Sequence, residues 1–323
     1  MSRTTMVVIL ALSLYWGSTI NTLSAQMAKE KFPDRPITLI VNFGAGGATD
    51  VAVRPLAKAA EKELGVPIVV LNKPGGNATI GITELSRAKP DGYTIGVLTM
   101  APMCITPFVQ KVPYDYVNGF DFILGFARYR YALVLRSDSP FKSVKDLVQA
   151  AREHPKGISY ASTDYANNLV VVTVERKEGI RFARVPFETG PAGVAAVLGK
   201  HVDFVIVNPP AFRPFLETKE VKALAVASSE RWPMMPEVPT MKEVGYDMDI
   251  SSWMTLGTPV GVPPDRLRVL RDVFKKAYED QTYQRLLNQL DLFAPYTTGD
   301  EVKSFFNKKR IEFKPLIETL QAR

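Results

Sequence analysis

Short apolar runs alternate with amphipathic segments along most of the chain. The apolar runs are rich in β-branched residues and bounded by turn residues, a pattern typical of buried parallel strands. They are Ile37–Phe43, Pro67–Leu71, Tyr93–Leu98, Tyr131–Arg136, Ile158–Ala161, Val202–Val207 and Val221–Ala227.

Between these runs, apolar residues recur at helical spacing. The segment Val51–Leu64 carries them three or four positions apart and stops at Gly65, which suits a helix C-terminus. Ser143 and Asp146 have capping-box spacing. Further helical stretches are predicted after Pro264 and over Val302–Leu320. Strands alternating with helices predict an α/β fold with mostly parallel sheets, and the lack of a low-complexity linker predicts lobes joined by strands.

The amino-acid composition limits the classes of protein and of ligand that fit this chain. The chain has 323 residues, 46% of them hydrophobic and 23% charged, which excludes disorder and a polytopic membrane protein. This length favours two domains. Two His and one Cys are too few for a Cys/His zinc cluster or an intrachain disulfide, and we expect no metal and no cofactor. The net charge of +7 is spread among acidic residues, so it favours small anions over nucleic acid as partners.

The N-terminus has the organisation of a secretory signal peptide. Arg3 precedes the apolar run Met6–Trp16, and small residues follow as far as Ala25. The alternative is a membrane anchor, but the run is shorter than the roughly 20 residues that a spanning helix needs. We therefore expect cleavage near Ala25, residues 1–25 as the signal peptide, and a mature protein in the periplasm.

A glycine-rich turn links a predicted strand to a predicted helix. Strand Ile37–Phe43 leads into Gly44–Asp50, and this order places free backbone N–H groups at the positive end of a helix dipole. The turn matches neither G-x-G-x-x-G nor a Walker A loop, so a small carboxylate fits better than a nucleotide. The alternatives are a turn that only packs the helix closely, and Asp50 as a helix cap. The candidate ligand residues here are Phe43, Gly44, Ala45, Gly46, Gly47, Thr49 and Asp50.

A second strand-to-helix loop lies in the other half of the chain. It runs from Ser162 to Asn168 and is rich in hydroxyl and amide donors. Asp164 would repel an anion if it pointed inward, so we expect it to face solvent. In open α/β sheets, ligands bind at the carboxyl ends of strands. Further candidates at such positions are Asn77, Ala78, Thr99 and Met100.

Several segments occur in the order that one family shows. They are Phe32–Ile37, Phe43–Asp50, Asn72–Gly76, Lys89–Thr94, Leu198–Asp203, Ala223–Ala227, Pro236–Gly245, Trp253 and Gly261–Pro264. Together they resemble the substrate-binding proteins of tripartite tricarboxylate transporters, the Bug-type receptors, over essentially the whole mature chain.

The resemblance implies a type II periplasmic binding protein fold, an α/β fold with two lobes around a ligand cleft. Lobe 1 would comprise residues 26–127 and 254–323, and lobe 2 residues 128–253. It also implies that the two loops hold a ligand carboxylate, partly through ordered waters. The partners would be a small organic carboxylate and the membrane transporter subunits, and we expect a monomer.

The chain departs from the family pattern in lobe 2. The second loop lacks the family's glycines and carries Tyr165, and Pro186–Thr189 replaces a Pro-Tyr-Lys-Gly stretch. The number of carboxyl groups on the ligand, and its aliphatic or aromatic nature, therefore stay open. The candidate ligand residues in lobe 2 are Ser162, Thr163, Asn167, Thr189 and Asn208.

Arg128-Tyr129-Arg130-Tyr131 is an unusual cluster where the chain should cross between lobes. Arg130 could reach a second ligand carboxylate, and a Tyr could stack on an aromatic ring. The alternative is a solvated edge strand, in which alternation puts both arginines on one face.

These observations predict a periplasmic solute receptor that delivers a carboxylate to a membrane transporter, and not an enzyme. His154 and His201 have no partners at triad or metal spacing, and Cys104 suits a small buried hydrophobe. A receptor that docks on a membrane sensor kinase is the alternative output.

Overall fold

The computed structural model describes residues 32–321, of which those from Arg35 onward form one compact unit. The predicted signal peptide and its cleavage near Ala25 lie outside the described residues. No helix of the described part is long and apolar enough to cross a membrane.

We number strands and helices in chain order. The strands are β1 (Ile37–Val41), β2 (Ile68–Asn72), β3 (Thr94–Leu98), β4 (Phe120–Tyr129), β5 (Ala132–Arg136), β6 (Ser159–Ser162), β7 (Ala183–Pro186), β8 (Phe204–Val207), β9 (Val221–Val226), β10 (Ser252–Pro259) and β11 (Thr297–Thr298). The helices are α1 (Ala48–Leu64), α2 (Thr79–Ser86), α3 (Thr106–Val109), α4 (Val144–Glu153), α5 (Tyr165–Glu178), α6 (Gly190–Leu198), α7 (Pro209–Glu217), α8 (Pro264–Glu279), α9 (Gln281–Gln289) and α10 (Gly299–Gln321). A π-helical turn, Ala101–Ile105, precedes α3.

The strands form two sheets. The first has the order β11-β4-β10-β3-β1-β2, and the second has the order β7-β6-β8-β5-β9. We call the elements packed on the first sheet lobe 1 and those packed on the second lobe 2. The lobe boundaries predicted at residues 128 and 254 stay a prediction.

Both sheets are mixed, so the expectation of mostly parallel sheets is wrong. β1 pairs in parallel with β2 and β3, and β6 with β7 and β8. β10 runs antiparallel to β3 and β4, while β5 runs antiparallel to β8 and β9. The antiparallel strands include β4 and β5, which are consecutive and carry the chain from one sheet to the other at residues 130–131.

The local helix signals are confirmed. α1 buries Val53 and Leu56 on one face and ends at Gly65, whose φ of 71° lets its N–H bond to Glu61 O. At α4, Ser143 Oγ accepts from Asp146 N, and Asp146 Oδ2 accepts from Ser143 N. These caps begin and end helices that flank the sheets.

The helical stretch after Pro264 is interrupted. It divides into α8 and α9 at Asp280, whose carboxylate accepts hydrogen bonds from Thr282 N and Tyr283 N and so starts a new helix. The stretch predicted over Val302–Leu320 lies within α10.

The arrangement brings strand ends and helix starts together. β1 leads into α1, β6 into α5, β7 into α6 and β8 into α7. In lobe 2, α6 and α7 pack on the sheet through buried residues such as Val194 and Phe212, which holds both helices in place on the sheet.

Candidate functional site

A cavity of about 30 Å³ lies between the two lobes, and four helices begin at it. The N-cap residues of α1, α5, α6 and α7 all line it: Gly47, Asp164, Thr189 and Asn208. We call this space the inner cavity. Its remaining lining residues are Phe43, Ala48, Thr49, Tyr129, Tyr131, Thr163, Asn167, Glu188, Gly190, Val207 and Ala211. Four helix N-termini give the cavity a positive potential before any side-chain charge is added.

The four helix starts differ in the donors that they offer. Gly47 has no side chain to cap α1, so the first-turn N–H groups of Ala48 and Thr49 have no intrahelical acceptor. In α7, Pro209 and Pro210 occupy the first two positions and have no N–H. The first turn of α1 is therefore the better placed of these two to receive an anion.

The helix starts of lobe 2 at α5 and α6 are capped by their own side chains. Asp164 Oδ1 accepts from Ala166 N at 2.8 Å and from Asn167 N at 3.2 Å. Thr189 Oγ1 accepts from Ala192 N at 3.3 Å. Part of the positive potential of lobe 2 is thus already balanced within the protein.

Asp50 braces the glycine-rich turn from behind. Its carboxylate accepts from Arg54 Nε and Asn72 Nδ2, both at 2.9 Å, and from Gly46 N at 3.0 Å. Burial alone would raise the pKa of Asp50, but the hydrogen bonds from Arg54, Gly46 and Asn72 together lower it. Asp50 therefore shapes the turn, and it does not line the inner cavity.

The turn also lies close to lobe 2. A Cβ at Gly44 would be 2.6 Å from Thr189 Cγ2, so only glycine allows the two loops to approach this closely.

Two tyrosines form an aromatic wall. The rings of Tyr129 and Tyr131 are nearly parallel with centroids 5.9 Å apart, and Phe43 meets Tyr129 edge-on at 6.3 Å. Tyr129 OH and Thr49 Oγ1 share a hydrogen bond. Burial raises the pKa of both tyrosines well above the ordinary value, so each carries a neutral hydroxyl.

Arg130 lines neither the inner cavity nor the outer groove, and its role in binding a second ligand carboxylate stays a prediction. Because side chains alternate along this crossing segment, Tyr129 and Tyr131 face the cavity and Arg130 does not. Its N–H donates to Asn208 Oδ1 at 3.2 Å. Burial and the nearby Arg128 lower the pKa of its guanidinium, while Asp291 and Glu230 act in the opposite direction.

Asp164 is buried at 3% exposure and lines the inner cavity, so the expectation that it faces solvent is wrong. Its capping role draws the carboxylate over the start of α5. Burial raises the pKa of Asp164, while the N–H groups of Asn167 and Ala166 and the charge of Arg184 act in the opposite direction. A carboxylate side chain therefore lines a cavity whose helix N-termini otherwise favour anions.

A larger groove of about 470 Å³ shares Phe43, Thr163 and Glu188 with the inner cavity, and we call it the outer groove. Arg184 lies in it, where Nε donates to Ser162 Oγ at 2.8 Å and Nη2 donates to Asn77 Oδ1 at 3.3 Å. This second bond joins lobe 2 to lobe 1. The outer groove has the size of an ordinary small-molecule site.

The predicted residues divide into three groups. Those that line the inner cavity are Phe43, Gly47, Thr49, Thr163, Asn167, Thr189 and Asn208. Those that line the outer groove are Phe43, Asn77, Ala78 and Thr163. Those that line neither are Gly44, Ala45, Gly46, Asp50, Thr99, Met100, Arg130 and Ser162.

Two residues of the third group, Thr99 and Ser162, bond to side chains that line the outer groove. Thr99 Oγ1 accepts from Asn42 Nδ2 at 3.0 Å, and Ser162 Oγ accepts from Arg184. Met100 is buried, whereas Ala45 and Gly46 are exposed at the tip of the turn.

Sequence reasoning missed several lining residues. Asp164 and Glu188 line the inner cavity but were not among the candidates, and Tyr129 and Tyr131 both line it although the sequence suggested only that one Tyr of their cluster could contact a ligand. One signal was available for Asp164, because Asp164 and Asn167 have capping-box spacing and form that box here.

The described residues hold no group of three or more His, Cys, Asp or Glu side chains placed to bind a metal ion. Cys104 is fully buried, as expected, and burial raises the pKa of its thiol to about 12. A thiol of this kind is not a nucleophile at neutral pH.

Two α/β lobes joined by crossing strands, with helix N-termini converging on the space between them, define a two-lobed solute-binding protein. The sequence model of the tripartite tricarboxylate transporter family receptor matches residues 52–321. The chain belongs to this family of solute-binding receptors, and the resemblance noted in its motifs is confirmed.

Individual relatives are similar to this chain over most of its length. The chain is 32% identical over 300 residues to the UPF0065 protein in gbd 5'region of Cupriavidus necator, across 92% of this chain and 91% of that protein. The structure of periplasmic binding protein BugD is similar with a TM-score of 0.83 and 27% identity, across 89% of this chain and 98% of that chain. MatC from Rhodopseudomonas palustris, solved with bound malate, has a TM-score of 0.83 at 24% identity, across 88% and 100%. The expected two-lobed periplasmic binding fold is confirmed.

Proposed function

We propose that this protein is a periplasmic receptor that captures a small organic carboxylate between its two lobes and delivers it to a tripartite tricarboxylate-type membrane transporter. The observation that carries this proposal is the convergence of four N-cap residues on one cavity. The first turn of α1 receives the carboxylate, since Gly47 leaves its N–H groups uncapped.

Thr49, Thr163, Asn167 and Asn208 surround that position with polar groups. The amide Nδ2 of Asn167 already donates to Thr163 Oγ1 at 2.8 Å, which orients the threonine hydroxyl. These contacts come from both lobes, so a ligand bound here bridges them.

Binding requires the lobes to move. The inner cavity, at about 30 Å³, is far smaller than the roughly 150 Å³ that encloses a benzene-sized guest. A ligand therefore enters when the lobes part, and it favours closure because the open form offers contacts from one lobe at a time.

The function is tested by a thermal-shift screen of the mature chain against mono-, di- and tricarboxylates and aromatic acids. A ligand present at about 100 times its dissociation constant adds about 2.7 kcal/mol to the free energy of unfolding. A sugar or an inorganic cation that raises the melting temperature, with no acid doing so, contradicts the proposal.

Gly47→Asp tests the position of the carboxylate. The new side chain can cap α1 and places its own carboxylate where the ligand's would bind, so binding should be lost while the helix gains a cap. Gly47→Ala is the matched control, because it adds the same Cβ without a charge. Equal binding by both variants would contradict the assignment to α1.

We further propose that the receptor releases its ligand unchanged and acts as a monomer. Mass spectrometry of the ligand after long incubation with the protein tests the first point, and light scattering with and without ligand tests the second. A new product that accumulates in proportion to protein would indicate an enzyme.

A further inference from the structure

The side-chain charges around the inner cavity have an unexpected sign. Among the described residues, Asp164 and Glu188 line it and no Lys, Arg or His does. A ligand that carried only carboxylates would place its second negative charge beside these acids. The outer groove holds Arg184, but its guanidinium is already bonded to Ser162 and Asn77.

One carboxylate oxygen has no partner. Asp164 Oδ1 accepts from two N–H groups of α5, whereas Oδ2 accepts no hydrogen bond and forms no ion pair with any described residue. Asp164 is only 3% exposed and lines the cavity. Arg184 is near enough to act on this charge but makes no ion pair with it, and a buried carboxylate oxygen without a direct partner is costly, so Oδ2 is a strong acceptor for a cationic donor.

Aromatic rings surround the same space. Phe43, Tyr129 and Tyr131 all line the inner cavity. The faces of such rings attract ammonium groups, and burial strengthens this attraction. The hydroxyl of Tyr131 bonds to no described residue, so it too is available to a ligand.

The two lobes thus offer opposite polarities. Lobe 1 presents the uncapped N–H groups of α1, and lobe 2 presents the free oxygen of Asp164. We propose that the ligand is a zwitterion, whose carboxylate binds the start of α1 and whose ammonium group binds Asp164 Oδ2 among the aromatic rings. This inference rests on the proposed carboxylate-receptor function and specifies its substrate class.

The test compares acids that differ by one ammonium group. The pairs are γ-aminobutyrate with butyrate, L-glutamate with glutarate, and 3-(aminomethyl)benzoate with 3-methylbenzoate. Calorimetric titration of the full mature chain at pH 7 measures each dissociation constant. At least one ammonium compound should bind at least tenfold more tightly than its partner, which corresponds to about 1.4 kcal/mol.

Asp164→Asn removes the charge and keeps an N-cap acceptor for Ala166 and Asn167. For the pair that discriminates, the ammonium compound should bind at least tenfold more weakly to this variant, while its partner binds equally well or better. Asp247→Asn is the matched control, because Asp247 is exposed and lines neither the inner cavity nor the outer groove, so it should change either affinity by less than about threefold.

The outcomes separate the two proposals. If the simple acids bind the wild type as tightly as their ammonium partners, or if Asp164→Asn leaves the ratio unchanged, the zwitterion inference is overturned and the carboxylate receptor stands. If no acid in these pairs or in the wider screen binds, both proposals are overturned. A neutral Asp164 that donates to a second carboxylate would show itself as tighter binding of glutarate than of L-glutamate, which also overturns the inference.

Discussion

The hydroxyl of Tyr129 and Oγ1 of Thr49 share a hydrogen bond that ties the end of β4 to the first turn of α1. Thr49 is 2% exposed and Tyr129 is 4% exposed, so water does not replace either partner easily. This bond fixes the start of the helix that we assign to the ligand carboxylate.

Tyr129→Phe should therefore destabilise the protein. Removal of the hydroxyl leaves Thr49 Oγ1 buried without this partner, which costs about 1–3 kcal/mol in the free energy of unfolding. Urea denaturation followed by circular dichroism measures the change. Tyr131→Phe is the matched control, because its hydroxyl bonds to no described residue, and it should change stability by less than about 0.5 kcal/mol. Equal losses in both variants would contradict the role of the Thr49 bond.

Asp50→Asn should also destabilise the protein, by about 1.5–3 kcal/mol at pH 7, because hydrogen bonds to a charged group are stronger than neutral ones. The carboxylate now accepts from Arg54, Asn72 and Gly46. Its pKa lies below the ordinary value of 3.8 in the folded state, so its stabilisation is present above that value and is lost as pH falls through the folded pKa. A variant as stable as the wild type at pH 7 would show that Asp50 does not brace the turn.

Asp164→Asn should have the opposite effect on the ligand-free protein. Burial raises the folded pKa of Asp164 above 3.8, so the folded state binds the proton more tightly and stability falls as pH rises through that interval. The titratable groups that interact electrostatically with the Asp164 carboxylate are Arg184, Tyr129 and Tyr131. The variant should melt at a higher temperature than the wild type at pH 7, and the difference should vanish below about pH 3.8. A lower melting temperature at pH 7 would contradict this account.

The sequence predicted the parts of the site that depend on local chain geometry. A strand, a glycine turn and a helix in succession determine where the N–H groups of α1 point, and this required no tertiary information. The second loop was found for the same reason. For the starts of α6 and α7, the sequence predicted one ligand residue each, Thr189 and Asn208. The local sequence does not indicate that four separate helices begin at the same cavity.

The alternation of side chains in the crossing segment predicted that it has two faces, but it did not predict which face points into the inner cavity. The charge of Arg130 makes it a candidate ligand residue, whereas the fold turns Tyr129 and Tyr131 toward the cavity. Electrostatic repulsion of an anion predicts that Asp164 faces solvent, but the structure buries it. Its hydrogen bonds to the start of α5 make burial tolerable, and a carboxylate at a helix N-terminus is electrostatically favoured.

A further contact joins the lobes away from the inner cavity. Arg213 in α7 pairs with Asp291, which follows α9, with Nη1 and Oδ2 2.5 Å apart. Arg213 also donates to the carbonyl of Gln289. Because these residues belong to different lobes, the contacts favour the arrangement of the lobes that is described here.

Arg213→Gln should shift the ligand-free protein toward an open cleft. We expect a larger radius of gyration in small-angle X-ray scattering, and a return to the wild-type value when a carboxylate binds. Affinity should fall by up to about tenfold, because ligand binding must then supply more of the free energy of closure. Arg231→Gln is the control, since it breaks an exposed ion pair with Glu243 that does not join α7 to α9. If both variants scatter like the wild type without ligand, the Arg213 contact does not govern closure.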